Sequence, residues 1–386
     1  MRITFITSKM NLATAGGSVP DLDLKIRAMK HMGHDVRLIT VFPKGNVLDR
    51  EFPYPIIEDE VAARSLWSAQ KGVFDVLRRH EAETDLYHVE GQFLYAIGAY
   101  RRLGGRIPVV AFFNRELISW PNAEGTNWSF KQRARYTLER LILTPIAERI
   151  DGKVFTCPTL KAAYRKFRYH GEPCVIIPDF VDYEGARKTI GLYEPRVEER
   201  AAPGNPFTFI CSGRMIKEKG FDLVLKAAAK LKSVGEFRII MSGNGPEEGN
   251  LRALAAELGV ADRVEFVGWV KRDELFRFLN ESDVFILPHW RSELTSVLLL
   301  ESMAFAIPPI VQSGGGLAWL AGQSGLTFPD GDADALAARM AELMQNDELR
   351  VELSRRVMRQ TEAFDMKVLA PQLETFMRET YEQARA

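Results

Sequence analysis

The chain has 386 residues, of which 46% are hydrophobic and 26% charged, which is typical of a soluble globular protein large enough for two domains. Lysine plus arginine and aspartate plus glutamate each number 51, so the net charge indicates no nucleic-acid partner. The charge is uneven, because residues 101–170 contain 14 basic against 5 acidic side chains. That local excess suits an anionic ligand or a membrane surface.

The cysteines and the apolar runs indicate a compartment. Cys157, Cys174 and Cys211 are odd in number and far apart, which argues against a disulfide framework and favours a reducing compartment. The N-terminal MRITFIT lacks the apolar segment of a signal peptide, and no apolar run approaches the roughly 20 residues that span a bilayer. We therefore expect a cytoplasmic protein, with peripheral attachment at the inner membrane face as the alternative.

The first half of the chain alternates predicted strands and helices. The strand RITFIT precedes a loop that contains Gly16 and Gly17. A helical pattern then runs from Pro20 to Met32 and ends at Gly33. Further predicted strands, separated by helical stretches, are DVRLIT, DLYHV, PVVAFF, KVFTC and CVIIP. This alternation predicts a parallel sheet with helices on both faces.

The segment from Tyr183 to Pro206 is charged and proline-rich and has no strand pattern, so it is predicted to be an interdomain linker. A second strand–helix series follows it: FTFICSG, FRIIMSG, VEFVG, DVFILP, PPIVQ and GLTFP. We expect two doubly wound domains, residues 1–190 and 205–366, with the C-terminal helix 367–386 packing back on the first. Such sheets bind ligands beyond the carboxyl ends of their strands.

The loop SGRMIKEKG follows the first strand of the second series. Gly213 permits a tight turn, Arg214 and Lys219 supply positive charge, and a helix is predicted to begin near Gly220. Two cations beside a helix N-terminus suit a diphosphate. The alternative is a pair of solvated surface charges, which is equally common.

The next strand ends in MSGNGPEEGNL, where Gly243 and Gly245 would let backbone approach a ligand. Alone this is a weak signal, because many turns between strands and helices carry such glycines.

The stretch SELTSVLLLESMAF follows the strand DVFILP. A helix is predicted from Ser296 to Ile307, with Thr295 or Ser296 as its cap, and its first turn, which includes Val297, would form a second phosphate site. Glu293 precedes the cap, where it could reach a sugar.

Glu301 lies within this apolar helix. A buried, unpaired carboxylate costs several kcal/mol, so Glu301 needs a partner. A pair of ribose hydroxyls would serve, and so would a core arginine.

Together these motifs resemble the family 4 retaining glycosyltransferases of GT-B fold, in which two Rossmann-like domains face each other across a cleft. The resemblance covers nearly the whole chain and rests on the order of its motifs: Gly16–Gly17, GHDV, IIPDFVD, GRMIKEKG, GNGPE, VEFVGWV, SDVFILP and the pair Glu293 and Glu301.

The resemblance implies transfer of a hexose-type sugar from a nucleotide diphosphate sugar to an acceptor hydroxyl of a glycan, glycolipid or small molecule. It implies that Arg214 and Lys219 hold the diphosphate, that Glu301 binds the ribose, and that Glu293 contacts the sugar. The Gly16–Gly17 loop would close over the phosphates. A UDP-sugar is the commonest donor in the family, a GDP-sugar is the alternative, and no cofactor or metal is implied.

Several positions depart from the family pattern near the expected sugar and acceptor. Where histidine usually follows PVVAFF, this chain has Asn114, which can hydrogen-bond a hydroxyl but does not titrate. The other departures are Ala318–Trp319 for proline and glutamate, Thr295–Ser296 for phenylalanine–glycine, and Asp179–Phe180 for asparagine–glycine. They indicate either an unusual sugar or acceptor or a weakened catalyst.

Aromatic and histidine side chains of the first domain are predicted to be packing residues rather than catalytic groups or sugar platforms. These are His88, Phe112, Phe113 and Trp128.

Two classes of rival function fit the same motifs. One is another GT-B enzyme, a nucleotide-sugar epimerase or a phosphorylase, which would act on a nucleotide sugar without an acceptor. The other is a nucleotide-sugar-binding protein without catalytic activity.

A basic, aromatic segment from Trp128 to Ile142 is predicted to be a helix. Its Lys131 and Arg135, with Arg165 and Arg168 further on, would suit an anionic bilayer. A solvated amphipathic helix is the alternative.

Overall fold

The structure is a computed structural model, and it describes residues 1–11, 18–48, 51–62, 64–114, 130–138, 141, 144–166, 172–197, 206–289 and 294–386. The chain divides into two compact units. The first unit is Met1–Phe180 with Leu369–Ala386, and the second unit is Val181–Val368. Residues 181–190 thus group with the second unit, where the sequence placed them in the first domain.

The first unit contains one parallel sheet of seven strands in the order β3-β2-β1-β4-β5-β6-β7. Its strands are β1 Arg2–Thr7, β2 Asp35–Thr40, β3 Ile56–Glu58, β4 Leu86–Glu90, β5 Val109–Phe113, β6 Gly152–Phe155 and β7 Cys174–Ile176. The strand order reverses between β1 and β4, so the topological switch point lies where those two strands end.

The helices of the first unit are α1 Ser18–His31, α2 Leu66–Arg79, α3 Leu94–Arg102, α4 Phe130–Leu138, α5 Thr144–Ala147 and α6 Pro158–Lys166. The C-terminal residues join this unit, because Phe376 and Thr380 lie directly against Gly152 of β6.

The second unit contains a parallel sheet of six strands in the order β10-β9-β8-β11-β12-β13. Its elements are α7 Tyr183–Thr189, β8 Phe207–Ser212, α8 Phe221–Lys230, β9 Phe237–Ser242, α9 Glu248–Glu257, β10 Val264–Gly268, α10 Arg272–Glu281, β11 Val284–Leu287, α11 Val297–Met303, β12 Pro309–Gln312, α12 Gly315–Ala321, β13 Leu326–Phe328, α13 Ala333–Gln345 and α14 Asp347–Phe364. The last helix, α15, is Met366–Gln383 and crosses the division between the units. The switch point lies between β8 and β11.

Apolar runs of the sequence become buried strands. All four residues of β11 are buried, because helices cover both faces of a parallel sheet and no side chain of a central strand faces water. The predicted strands of both series are confirmed within a residue or two of their ends. Strand β3 was missed because its three residues are too few and too exposed to form a recognisable apolar run.

The predicted linker was wrong over its first residues, where α7 forms. The Asp182 carboxylate accepts the Gly185 N–H at 2.8 Å and caps the helix. Tyr183 and Ala186, three residues apart on one face, are buried in the core of the second unit. A charged composition concealed this short amphipathic pattern.

The helix predicted from Ser296 to Ile307 is shorter than expected. It ends at Met303, and Ala306 takes a left-handed backbone with φ 55° before Pro308. Within the part of the chain that the structure describes, no helix combines the length and the apolarity needed to cross a membrane.

Candidate functional site

The glycine-rich turns after β8 and β9 are packed against each other. The Gly213 N–H donates to the Ser242 carbonyl at 3.0 Å, and the Met215 N–H donates to the Asn244 carbonyl at 2.8 Å. A Cβ on Gly243 would lie 1.9 Å from the Gly213 oxygen, and a Cβ on Gly245 would lie 2.3 Å from the Met215 oxygen. These two glycines are therefore required by the contact between the turns, which brings Gly213 and Arg214 beside the end of β9.

We expect Gly243→Ala to destabilise the second unit by about 2 kcal/mol or more. Its φ of 121° is unfavourable for a residue with a Cβ, which costs about 1–2 kcal/mol, and the clash with Gly213 adds to this. Denaturant unfolding measures the change. The control is Gly249→Ala, because a Cβ there meets nothing within 4 Å and alanine is a better helix former than glycine in α9. Equal stability of the two variants would contradict this packing account.

Arg214 and Lys219 form a positive pair at this edge. Arg214 is exposed, whereas Lys219 is half-buried just before Gly220, whose left-handed φ of 65° starts α8. Burial, and then the charge of Arg214, lower the pKa of Lys219 to about 8. Two cations close enough to repel each other have a strong affinity for an anion placed between them.

His289 is a residue at this site that sequence reasoning missed. It lies two residues after the end of β11, the strand that pairs with β8, and only 3% of it is exposed. Burial, and then the positive charge of Lys219, hold its pKa well below the usual value. The signal was present in the sequence, because a histidine two residues after a strand at a switch point is well placed to contact a ligand.

Glu301 is buried in α11, as its leucine-rich surroundings predicted, with 3% of the residue exposed. Its Oε1 accepts a hydrogen bond from the guanidinium of Arg272, the first residue of α10. The partner is therefore an arginine. Its side chain is 44% exposed, so Arg272 lies at the rim of the site, at the protein surface, and not in the core.

The start of α11 lies after the end of β11. Ser296, one of the two predicted caps, caps the helix by accepting the Leu299 N–H at 3.4 Å, and Thr295 and Val297 flank it. Because α11 has only seven residues, its dipole contributes less to anion binding than the sequence suggested. The fixed charges of Arg214 and Lys219 are the stronger anion-binding feature.

Three of the predicted site residues, Gly16, Gly17 and Glu293, lie outside the described residues. Asn114 is described: it follows β5 of the first unit and is partly exposed.

The first unit holds a buried ionic cluster that sequence reasoning missed. Lys25 is fully buried, and its Nζ lies 2.6 Å from Asp21 Oδ2 and 3.3 Å from the centre of the Phe112 ring. The other oxygen of Asp21 accepts the Phe180 N–H at 2.6 Å. Burial lowers the pKa of Lys25, and Asp21 and Asp179 oppose that effect. The cluster ties α1 to the segment after β7.

This cluster accounts for one departure from the family pattern, because Asp179 and Phe180 surround the Lys25 ammonium. Trp319 has a structural role as well, since its ring packs 5.6 Å from Phe364. Neither departure therefore requires an altered reaction.

The predicted packing roles in the first unit are confirmed where the structure describes them. His88 is buried between Phe5 and Phe112, and burial lowers its pKa to about 3, so it is neutral. Phe113 is fully buried, and Trp128 lies outside the described residues.

The basic surface of the first unit carries less uncompensated positive charge than its sequence suggests. Lys161 and Arg165 both pair with Glu172, at 3.2 Å and 3.3 Å. Lys131 lies exposed on α4, whereas the side chain of Arg135 and the whole of Arg168 are outside the description. Membrane contact stays a prediction, which sedimentation with anionic and with zwitterionic vesicles would test.

Comparison with known proteins adds evidence independent of the site. Two family models match the chain: Glycosyltransferase Family 4 over residues 22–184 and Glycosyl transferases group 1 over residues 194–360. The putative colanic acid biosynthesis glycosyltransferase WcaL of Salmonella typhimurium is 36% identical over 154 residues, which cover 38% of this chain and 38% of that protein. The chain thus matches less than half of that relative's length.

Solved structures resemble the chain over nearly its full length. Sucrose-phosphate synthase from Thermosynechococcus elongatus has a TM-score of 0.79 at 19% identity, with 99% of each chain covered. HepE of Anabaena, solved in complex with UDP, has a TM-score of 0.74 at 16% identity, covering 98% of this chain and 100% of that one.

These likenesses, with two parallel doubly wound sheets, confirm the predicted GT-B fold class. The two family models together match most of the sequence, one over its first half and the other over its second half. The chain belongs to the family 4 glycosyltransferases.

Proposed function

We propose that the protein is a retaining glycosyltransferase that moves a hexose-type sugar from a nucleotide diphosphate sugar to an acceptor hydroxyl. The observation that carries the proposal is the cation pair Arg214 and Lys219, placed by tightly packed glycine turns at the switch point of the second sheet. A diphosphate is the ligand that this pair suits best.

The donor would lie along the carboxyl edge of the second unit. Its diphosphate contacts Arg214 and Lys219, and its ribose hydroxyls donate to Glu301. The family resemblance implies that Glu293 contacts the sugar. The HepE structure was solved in complex with UDP, which supports a uridine nucleotide here. A GDP-sugar is the alternative.

The chemical step follows from where charge develops. The bond between the anomeric carbon and the diphosphate oxygen breaks, and negative charge collects on the departing diphosphate. Arg214 and Lys219 stabilise that charge because they are positioned before the reaction begins. As the family resemblance implies, the acceptor oxygen attacks from the same face and forms the new bond, while its proton passes to the diphosphate oxygen. The configuration at the anomeric carbon is thereby retained.

The acceptor is proposed to be a growing glycan or glycoconjugate. Support comes from WcaL, which is named as a putative enzyme of colanic acid biosynthesis. The test is to incubate the protein with UDP-glucose, UDP-galactose or GDP-mannose and a panel of oligosaccharide and lipid-linked acceptors. Products with the anomeric configuration of the donor, read by NMR, support the proposal, whereas inverted products contradict it. Binding without transfer to any acceptor would favour the rival binding protein.

Affinity for a nucleotide diphosphate is expected to fall as the pH rises above about 8. The pKa of Lys219 is lowered to about 8 in the free protein, so the ammonium loses its proton in this range. A bound diphosphate favours the charged form and raises that pKa. Between the pKa of Lys219 in the free protein and its pKa in the complex, the Kd should therefore rise by up to about tenfold per pH unit. Titration with UDP and GDP from about pH 7 to pH 10 measures this.

The matched control for this pH dependence is Lys217, an exposed lysine two residues earlier. Lys219→Gln should bind weakly at neutral pH and show little pH dependence, whereas Lys217→Gln should behave as wild type. A wild-type Kd that is constant between about pH 7.5 and pH 9.5 would show that Lys219 does not bind the diphosphate.

A further inference from the structure

We infer that Arg272 is a positioning residue of the donor site, which holds the Glu301 carboxylate charged and correctly oriented for the ribose hydroxyls of the nucleotide. The inference rests on the proposed function, since it concerns the ribose contact of the same site. It is carried by the hydrogen-bonded ion pair between the two side chains and by the position of Arg272 on the rim of the site.

The two partners differ strongly in exposure. The Arg272 side chain is 44% exposed, whereas that of Glu301 is 4% exposed. The guanidinium thus extends from the surface down to a carboxylate that lies among the apolar side chains of α11. An exposed pair would contribute little, but a carboxylate this deeply buried depends on its counter-charge.

Arg272 also belongs to the same edge of the second unit as the glycine turns. Strand β10 ends at Gly268, whose carbonyl accepts the Gly243 N–H at 2.7 Å, and the loop to α10 follows it. Trp269 and Lys271 of this loop are exposed. Arg272 therefore connects Glu301 to a loop that already contacts the turn after β9.

The ion pair has a chemical consequence for hydroxyl recognition. A charged carboxylate only accepts hydrogen bonds, and bonds from hydroxyls to a charged group are stronger than those to a neutral one. The guanidinium fixes one carboxylate oxygen, Oε1, and so restricts the rotation of the whole group. Glu301 is thus oriented before the nucleotide arrives, which lowers the entropic cost of binding.

The test compares the affinities of UDP and 2′,3′-dideoxy-UDP, or of the corresponding guanosine pair if that base binds better. Wild type should prefer the natural nucleotide by at least about tenfold, because hydrogen bonds to a charged group are involved. In Arg272→Met we expect the preference to fall below about threefold. Arg277→Met is the matched control, since Arg277 is an exposed residue of the same helix, and it should keep the wild-type preference.

The outcomes separate a positioning role from a structural one. If Arg272→Met weakens both nucleotides equally, Arg272 supports only the fold and the inference is wrong. If wild type binds UDP but does not discriminate, the ribose contact of Glu301 is wrong and the inference falls with it. If wild type binds no nucleotide diphosphate at all, the proposed function itself has failed.

A second comparison applies if Arg272→Met does not fold. The double variant Arg272→Met/Glu301→Gln removes both charges and leaves no unpaired carboxylate. It should discriminate between the two nucleotides as Glu301→Gln alone does, because Arg272 acts through Glu301. Weaker discrimination in the double variant would mean that Arg272 binds the nucleotide directly, which overturns the inference.

Discussion

Replacement of Arg214 or of Lys219 by alanine is expected to lower kcat/KM for glycosyl transfer by about 10²–10³. Each side chain supplies a fixed charge contact to a diphosphate whose negative charge increases in the transition state, and loss of one such contact has this effect in other enzymes. Because the interaction strengthens as the bond breaks, kcat should fall as well as substrate affinity. Steady-state kinetics with saturating acceptor separate the two.

Lys217→Ala is the control for these variants, since it removes a lysine from the same loop that is exposed. Its kcat/KM should remain within about threefold of wild type, because an exposed charge makes only a weak, screened contribution. Near-wild-type kinetics in both Arg214→Ala and Lys219→Ala would show that this loop does not hold the donor diphosphate.

Lys25→Met is expected to destabilise the first unit by about 3–5 kcal/mol. The substitution retains an unbranched side chain but leaves Asp21 and Asp179 buried without the ammonium, and an uncompensated buried charge has a cost of this size. Denaturant unfolding, monitored through the transition of the first unit, gives the difference in the free energy of unfolding. Lys71→Met on the exposed side of α2 should change the free energy of unfolding by less than about 0.5 kcal/mol.

The double variant Asp21→Asn/Lys25→Met sharpens this test. Removal of one negative charge together with the positive one should recover part of the lost stability, since fewer unpaired charges remain buried. If Lys25→Met were within about 1 kcal/mol of wild type, the cluster would not hold α1 in the way we describe.

Much of the fold could be predicted because the pattern of residue types within a segment indicates whether that segment is buried. Strand β11 shows as DVFILP, since a strand covered on both faces has no polar positions to interrupt the run. Thr295 and Ser296 were identified as alternative caps of α11 from their residue types alone, and Ser296 is the one that caps the helix. Elements that depend on a few contacts were harder to predict. Helix α7 was missed because only Tyr183 and Ala186 of its seven residues are buried.

The pairings within the sites could not be predicted, because they join residues far apart in the chain. The leucines around Glu301 indicated burial, but nothing local identified Arg272, which is 29 residues earlier, as its partner. In the same way, the contact of Asp21 with Phe180 spans 159 residues, so the sequence showed Asp179–Phe180 only as a departure from the family. Residue type and periodicity indicate which groups need partners, whereas the fold determines which partners they have.

The central claim is that the carboxyl edge of the second unit binds a nucleotide diphosphate through Arg214 and Lys219. Calorimetric titration of the protein with UDP, GDP and ADP tests this claim most directly. We predict that at least one nucleotide binds to wild type and to Lys217→Ala, and that its affinity falls by about tenfold or more in Arg214→Ala and in Lys219→Ala, because each loses a charge-assisted contact. Binding that is unchanged in both variants, or the absence of binding by all three nucleotides at millimolar concentration, would contradict it.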